Sequence, residues 1–317
     1  MTATLPATAE APSPPVGDDE LATLKVVGVR HYGRWIASAV VAVLLAQLIH
    51  AGVTNPALEW SVFREYVFDP TILDAVVITL KLTFLAACFG FIGGIILAAM
   101  RLSRSPLLRA VSWTYVWIFR SVPLIVQILL WGNIAILYKQ LSVGVPFGGS
   151  FASLTTKDLF TSFTAAVIGL SICEAAYAAE VVRGGILSVD HGQHEAAEAL
   201  GIPRGRQFRR IVFPQAMRTI MPSAANQLIG LVKSTSIVYV LAIGELFYQV
   251  TVIYGRTTRV IPLLTVATFW YVVMTTALSI VQYYIERHYA RGAVRNLPPT
   301  PFQRLRRQVR SWRGTPA

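Results

Sequence analysis

The stretch Val77-Ile-Thr-Leu-Lys-Leu-Thr-Phe-Leu-Ala-Ala-Cys-Phe-Gly-Phe-Ile-Gly-Gly-Ile-Ile-Leu-Ala-Ala-Met100 holds one charged residue, Lys81, near its start. It exceeds the ~20 consecutive apolar residues that a helix needs to cross a bilayer. Gly90, Gly93 and Gly94 give it a G-x-x-x-G face on which a neighbouring helix can approach closely. Packing within one bundle is the simpler use of that face, since small residues line most helix contacts in membranes. Outward from this run lie five more of similar character, at about 35–53, 112–138, 162–183, 220–245 and 262–285. The run at 112–138 is too long for a simple perpendicular span. Pro106 and the cluster Arg101, Arg104, Arg109 predict that it begins as an interfacial helix, and Pro123 predicts a kink.

Composition agrees with a bilayer as solvent. Of 317 residues, 54% are hydrophobic and 14% charged, with a mean hydropathy of +0.55, whereas soluble domains carry roughly 25% charged residues. The fold class expected is therefore an all-α membrane protein with about six transmembrane helices. The formal charge of +12 does not point to nucleic acid, because the basic residues flank apolar runs and no aromatic-glycine RNA-binding pattern lies between them. Cys88 and Cys173 fall inside apolar runs, which excludes a disulfide framework and a zinc site and leaves them as packing residues. No metal or other cofactor is expected. Residues 1–33 lack the basic and apolar regions of a signal peptide and read as a disordered cytoplasmic tail. Residues 34–290 form the transmembrane domain, with a core at about 77–287, and residues 291–317 a basic cytoplasmic tail.

Arginine sets the orientation. Arg30 and Arg34 precede the first run; Arg101, Arg104 and Arg109 separate the second and third; Arg183, Arg204, Arg206, Arg209, Arg210 and Arg218 lie between the fourth and fifth; Arg287, Arg291 and Arg295 follow the last. These are alternate loops. The segment between the first two runs instead carries Glu59, Glu65, Asp69 and Asp74 against Arg64. Both termini are thus expected inside. Arg256 and Arg259, in the last outer loop, are exceptions.

The loop between the fourth and fifth runs is the richest in local signals: Gly184-Gly-Ile-Leu-Ser-Val-Asp-His-Gly-Gln-His-Glu-Ala-Ala-Glu-Ala-Leu-Gly-Ile-Pro-Arg-Gly-Arg-Gln-Phe-Arg-Arg-Ile-Val-Phe-Pro214. Asp190 is placed to cap a helix with Gln193 at the capping-box position, and Glu195 and Glu198 favour its N-terminal end. Gly201 supplies a left-handed stop and Pro203 opens a second helix. On that helix Phe208, Ile211 and Val212 are expected to face the bundle and the arginines headgroups and solvent. His191 and His194 have the spacing of metal ligands, but no third ligand converges on them, so they read as exposed histidines.

The spacing Glu195-Ala196-Ala197, three residues, Gly201, nine residues, Ile211, one residue, Phe213-Pro214 resembles the E-A-A signature of the permease subunits of bacterial ABC importers, with Phe213 in place of a leucine. Arg120-Ser-Val-Pro123-Leu-Ile-Val-Gln127, Ala175-Ala-Tyr177-Ala-Ala-Glu180-Val-Val-Arg183-Gly-Gly, Gly192-Gln193 and Lys233-Ser-Thr235-Ser236 are similar, more narrowly, to the polar amino acid permeases of that superfamily. The resemblance implies an ABC-importer permease core in which the loop at about 186–214 carries a cytoplasmic coupling helix that docks on an ATPase. Gln193, Glu195, Ala196, Ala197 and Gly201 would make that contact. It implies ABC ATPase subunits, a second permease subunit, identical or homologous, and an extracytoplasmic amino acid-binding protein as partners, in a bacterial inner membrane. The chain would be a non-catalytic transport subunit; Gly230-Leu-Val-Lys233-Ser234 imitates only the end of a phosphate-binding loop.

Ionisable groups at bilayer depth point to function. Glu174 lies nine residues before Arg183 and Lys233 eleven beyond Pro222, distances of ~14 and ~17 Å along a helix that put both near the midplane. They could form a structural ion pair or line a translocation path, with Thr235 and Ser236 offering hydroxyls beside Lys233 or bonding their own helix. The competing function is a stand-alone secondary transporter or channel, which calls for paired interrupted spans in two halves that the sequence does not display.

Overall fold

The computed structural model describes residues 32–144 and 150–289. The two tails fall almost wholly outside these residues, so the expectations of a disordered N-terminal tail and a basic C-terminal tail lie outside the described part.

The chain divides into two compact units, Met1–Asn55 and Pro56–Ala317. The first contributes α1 (Tyr32–Thr54), a continuous apolar helix long enough to cross a membrane. The second opens with the short α2 (Trp60–Tyr66) and then α3 (Pro70–Leu102), a 33-residue helix. Asp69 starts α3: its carboxylate accepts the Thr71 backbone N–H at 2.8 Å, and Pro70 occupies the first turn, where no N–H is needed. The remaining elements are α4 (Pro106–Ser121), α5 (Leu124–Gly132), α6 (Ile134–Leu137), a two-stranded antiparallel ribbon of β1 (Gln140–Gly144) and β2 (Ser150–Thr155), α7 (Thr156–Leu159), α8 (Ser162–Leu187), α9 (His191–Ala199), α10 (Arg204–Gln207), a π-helical turn at Phe208–Val212, α11 (Phe213–Ser234), a 3-10 segment at Thr235–Leu241, α12 (Leu246–Thr257) and α13 (Val260–Tyr289). The ribbon pairs Gln140 with Thr155 and breaks register at Val143/Gly144.

Five helical stretches are long and apolar enough to span a bilayer: Tyr32–Thr54, Pro70–Leu102, Ser162–Leu187, Arg204–Leu241 and Val260–Tyr289. A sixth span arises if α4 and α5, bent by 102° at their junction, count as one. Five to six spans agree with the sequence expectation of about six, and the kink expected at Pro123 is a 102° break between α4 and α5.

Helices in lipid gain little from burying apolar surface, so close packing and internal hydrogen bonds hold the bundle. The glycine face of α3 serves this purpose against α8. A Cβ on Gly94 would fall 2.5 Å from that of Ala178, and one on Gly93 3.1 Å from that of Ala175. The G-x-x-x-G face is therefore consumed inside this chain. Around that seam Leu82, Ala86, Ile128, Ala166, Leu170, Leu231 and Val238 form one core cluster. A second gathers Ile72, Val232, Leu246, Val250, Leu263 and Val266 where α3, α11, α12 and α13 meet. Helix ends are tied by long-range bonds: Ser112 Oγ donates to the Leu97 carbonyl at 2.7 Å, Tyr115 OH to Ile172 at 2.9 Å, and Trp270 Nε1 to Val67 at 2.7 Å.

Two sequence expectations are revised. The apolar run at 220–245 ends as a helix at Leu241, Ala242 turns left-handed at φ 55°, and the presumed last outer loop contains α12. Arg259, an exception to the arginine pattern, lies 3.4 Å from the Glu59 carboxylate.

Candidate functional site

The loop between α8 and α11 folds as the capping signals require, with one exchange of partners. Asp190 accepts the Gly192 N–H at 2.7 Å rather than that of Gln193. The Gln193 side chain instead accepts from Gln215 Nε2 at 3.3 Å, tying the start of α9 to α11. At its other end α9 closes in a Schellman motif: Ile202 N–H reaches the Ala197 carbonyl and Gly201 N–H that of Glu198, each at 3.0 Å, with Gly201 at φ 66°. Gln207 is buried and its Nε2 lies 3.1 Å from His194 Nδ1 and 3.3 Å from the His194 carbonyl.

These bonds fix which face of α9 is free. Ala197 is buried, and Val189, Val212, Ala216 and Ile220 form a core cluster at the root of the loop. Gln193, Glu195, Ala196, Ala199 and Gly201 are exposed, and Leu200 stands 77% open. Ala197 is thus a packing residue of the helix root, not part of the outward surface expected for it. Phe208, expected to face the bundle, is exposed, and Gln207 takes the inward position. The π-turn shifts the helix phase between Gln207 and Val212. His191 is exposed and lies 3.1 Å from Glu195, and among the described residues no metal-binding cluster forms.

Of the residues expected within the membrane, Glu174 and Lys233 are not brought together. Glu174 is buried in the α3–α8 seam, where the absence of a side chain at Gly90 makes room for its stem; a Cβ there would lie 2.7 Å from Glu174 Cβ and Cγ. Its Oε1 has no hydrogen-bond partner among the described residues. Lys233 is exposed at the end of α11, and among the described residues no ion pair joins it to Glu174. Equal depth does not mean a shared face. Thr235 is fully buried and its hydroxyl donates to Val232 at 2.7 Å, while Ser236 donates to Lys233 at 2.7 Å, so both bond their own helix.

Sequence reasoning missed the carboxylate that this region is built around. Glu245 is fully buried and caps α12, accepting from Phe247 N at 3.0 Å and Tyr248 N at 2.7 Å. Thr79 Oγ1 accepts the Leu246 N–H at 3.1 Å, so the first three donors of α12 are all satisfied. Tyr271 OH donates to Glu245 at 3.3 Å and also neighbours Thr235 and Ser236. Two of the expected pathway residues therefore lie beside the Tyr271–Glu245 pair, their hydroxyls bonded within their own helix. The signal was Gly244-Glu245-Leu246, a cap ahead of an apolar repeat, hidden at the end of an apolar run.

The turn at Pro123 is likewise stabilised from within. Proline leaves the Phe119 carbonyl without its helical donor. Gln127, 2% exposed, supplies one: its Nε2 donates to Phe119 at 2.9 Å and to Val122 at 2.8 Å.

Residues 90–291 match the family described as the binding-protein-dependent transport system inner membrane component. The arginine transport system permease protein ArgU of Corynebacterium glutamicum is 41% identical over 271 residues, covering 85% of this chain and 84% of that protein. The glutamate/aspartate import permease protein GltK of Escherichia coli is 35% identical over 222 residues, covering 70% and 94%. Among solved structures, an amino acid ABC transporter crystallised with histidines superposes with a TM-score of 0.59 at 33% identity, covering 69% of this chain and 94% of that one. The inward-facing MetNI methionine ABC transporter, at 21% identity and a TM-score of 0.54, shares the fold. With a core of close-packed spans and an α9 insert held at both ends, this chain belongs to the family of inner membrane components of binding-protein-dependent transport systems.

Proposed function

We propose that this protein is the permease subunit of an ATP-driven importer of polar amino acids, with arginine the first to test because the 41% identical relative is named for it. ABC ATPase subunits, a second permease subunit and an extracytoplasmic amino acid-binding protein complete the machine. Both termini lie in the cytoplasm of a bacterial cell, and residues 34–290 act as one transmembrane domain. The observation that carries this reading is α9, clamped by Gln215, Gln207 and its Schellman closure, with Ala196, Ala199 and Leu200 exposed beside Glu195. A short helix with small side chains outward can sink into a groove of a partner, and a rigid root transmits displacement of that partner to α8 and α11. Gln193, Glu195, Ala196 and Gly201 are the ATPase contact, while Ala197 anchors the helix behind them.

Lys233 lines the translocation path. Its exposure at bilayer depth is unfavourable against lipid, so the open face of α11 meets water or the second permease subunit. Thr235 and Ser236 follow it on the same stretch of chain and belong to that wall, and Glu174 belongs to the path by way of the α3–α8 seam. The test is uptake of radiolabelled arginine into proteoliposomes holding the complete importer, measured alongside ATP hydrolysis. Gly201→Pro and Glu195→Lys should insert normally yet lose uptake while hydrolysis continues. Normal uptake in both variants would remove α9 from the coupling role.

A further inference from the structure

At the end of the bundle that carries α9, the C-terminal end of α3, the outer face of α4 and the middle of α8 enclose an open cavity of about 410 Å³. Arg101 and Arg120 line it, and Trp113, Trp117, Tyr177 and Glu180 complete its wall. Arg101 Nη1 is buried there and has no hydrogen-bond partner among the described residues. The Arg120 guanidinium lies 5.3 Å from the centre of the Tyr177 ring, a cation–π contact, and forms no ion pair among the described residues. Glu180 is the acidic residue in the cavity wall among the described residues. Its Oε2 already accepts two hydrogen bonds from Arg183, at 3.1 and 2.7 Å, and among the described residues it forms no ion pair with Arg101 or Arg120. The cavity therefore presents an excess of positive charge, and the Arg101 guanidinium in its wall carries a donor shielded from water without a partner among the described residues. Such a donor is unfavourable unless an anion meets it.

The other wall identifies the anion. Trp113 and Trp117 stack, their ring centres 5.9 Å apart and their planes 6° from parallel, and both are more than half exposed. Indoles exposed at the ends of membrane spans favour the headgroup level, and guanidinium forks match phosphate oxygens. We propose that this cavity binds an anionic phospholipid, its phosphate between Arg101 and Arg120 and its glycerol and upper acyl chain along the Trp113–Trp117 stack. A free phosphate would use the arginines but not the exposed indoles. The proposal is independent of the transported solute.

Native mass spectrometry of the full-length chain, titrated in detergent with palmitoyl-oleoyl phosphatidylglycerol or phosphatidylcholine, reads this directly. One phosphatidylglycerol should bind in preference to phosphatidylcholine. Arg101→Gln with Arg120→Gln should weaken it roughly thirtyfold, about one fivefold step per arginine. Arg120→Gln alone, at an exposed position, should show one such step without risk to folding, and Trp117→Ala should weaken binding with every charge kept. Arg209→Gln with Arg210→Gln removes equal charge at the same end of the bundle outside the cavity and should leave the bound lipid in place. Equal binding of the two lipids, an equal loss in the Arg209/Arg210 variant, or displacement by inorganic phosphate at millimolar concentration would each overturn the proposal.

Discussion

Polar side chains inside this bundle act mainly as substitutes for missing backbone partners. Gln127 replaces the donor that Pro123 lacks, and Glu245 with Thr79 replaces the carbonyls that α12 has no preceding turn to offer. Gln127→Leu keeps the volume and removes both bonds to Phe119 and Val122. Each buried carbonyl left unmatched costs roughly 1–3 kcal/mol, so the variant should melt measurably lower in detergent while still inserting. Glu245→Ala should be more severe, since it opens two N–H groups and the Tyr271 hydroxyl at once. The Glu174 and Lys233 side chains do not meet, and their substitutions should behave accordingly. The effects of Glu174→Gln and Lys233→Met on expression and uptake should add within about 0.5 kcal/mol, as for independent sites. Rescue of one by the other would require a state in which they pair.

Among the elements, α9 is the one whose conformation its own residues dictate. Asp190, Gly201 and Pro203 specify start, stop and restart, and the observed caps follow them. Gly201→Ala should strain the Schellman closure, because a Cβ disfavours the left-handed region by roughly 1–2 kcal/mol. Uptake should fall by less than for Gly201→Pro, with α9 still capped at Asp190. The seam of α3 and α8 depends instead on fit between two elements. Gly94→Leu would drive four carbon atoms into Ala178 and the backbone beside it. Poor accumulation of this variant in the membrane is expected, against near-normal levels for Gly184→Leu, where a Cβ meets nothing within 4 Å. Immunoblots of the membrane fraction check both.

At the scale of the whole molecule, the proposed orientation, with α9 in the cytoplasm, rests on the alternating arginine loops. In a background of Cys88→Ala and Cys173→Ala, Ser61→Cys should react with a membrane-impermeant thiol reagent in intact cells and Thr300→Cys should not. Reaction at position 300 from outside would invert the topology. The positions of the apolar runs, the start and stop of α9 and the glycine face of α3 were legible in the sequence because each rests on residues close together in the chain. Hydropathy marks a span within ~20 residues, and a cap within four. The 102° turn after α4, the burial of Ala197, the separation of Glu174 from Lys233 and the assembly of Glu245 with Tyr271, Thr235 and Thr79 were decided by tertiary structure. Those features depend on which face of each helix its neighbours cover. In a bundle that is apolar on nearly every side, periodicity does not mark an inner face, so depth along a helix can be read from sequence and rotation about its axis cannot.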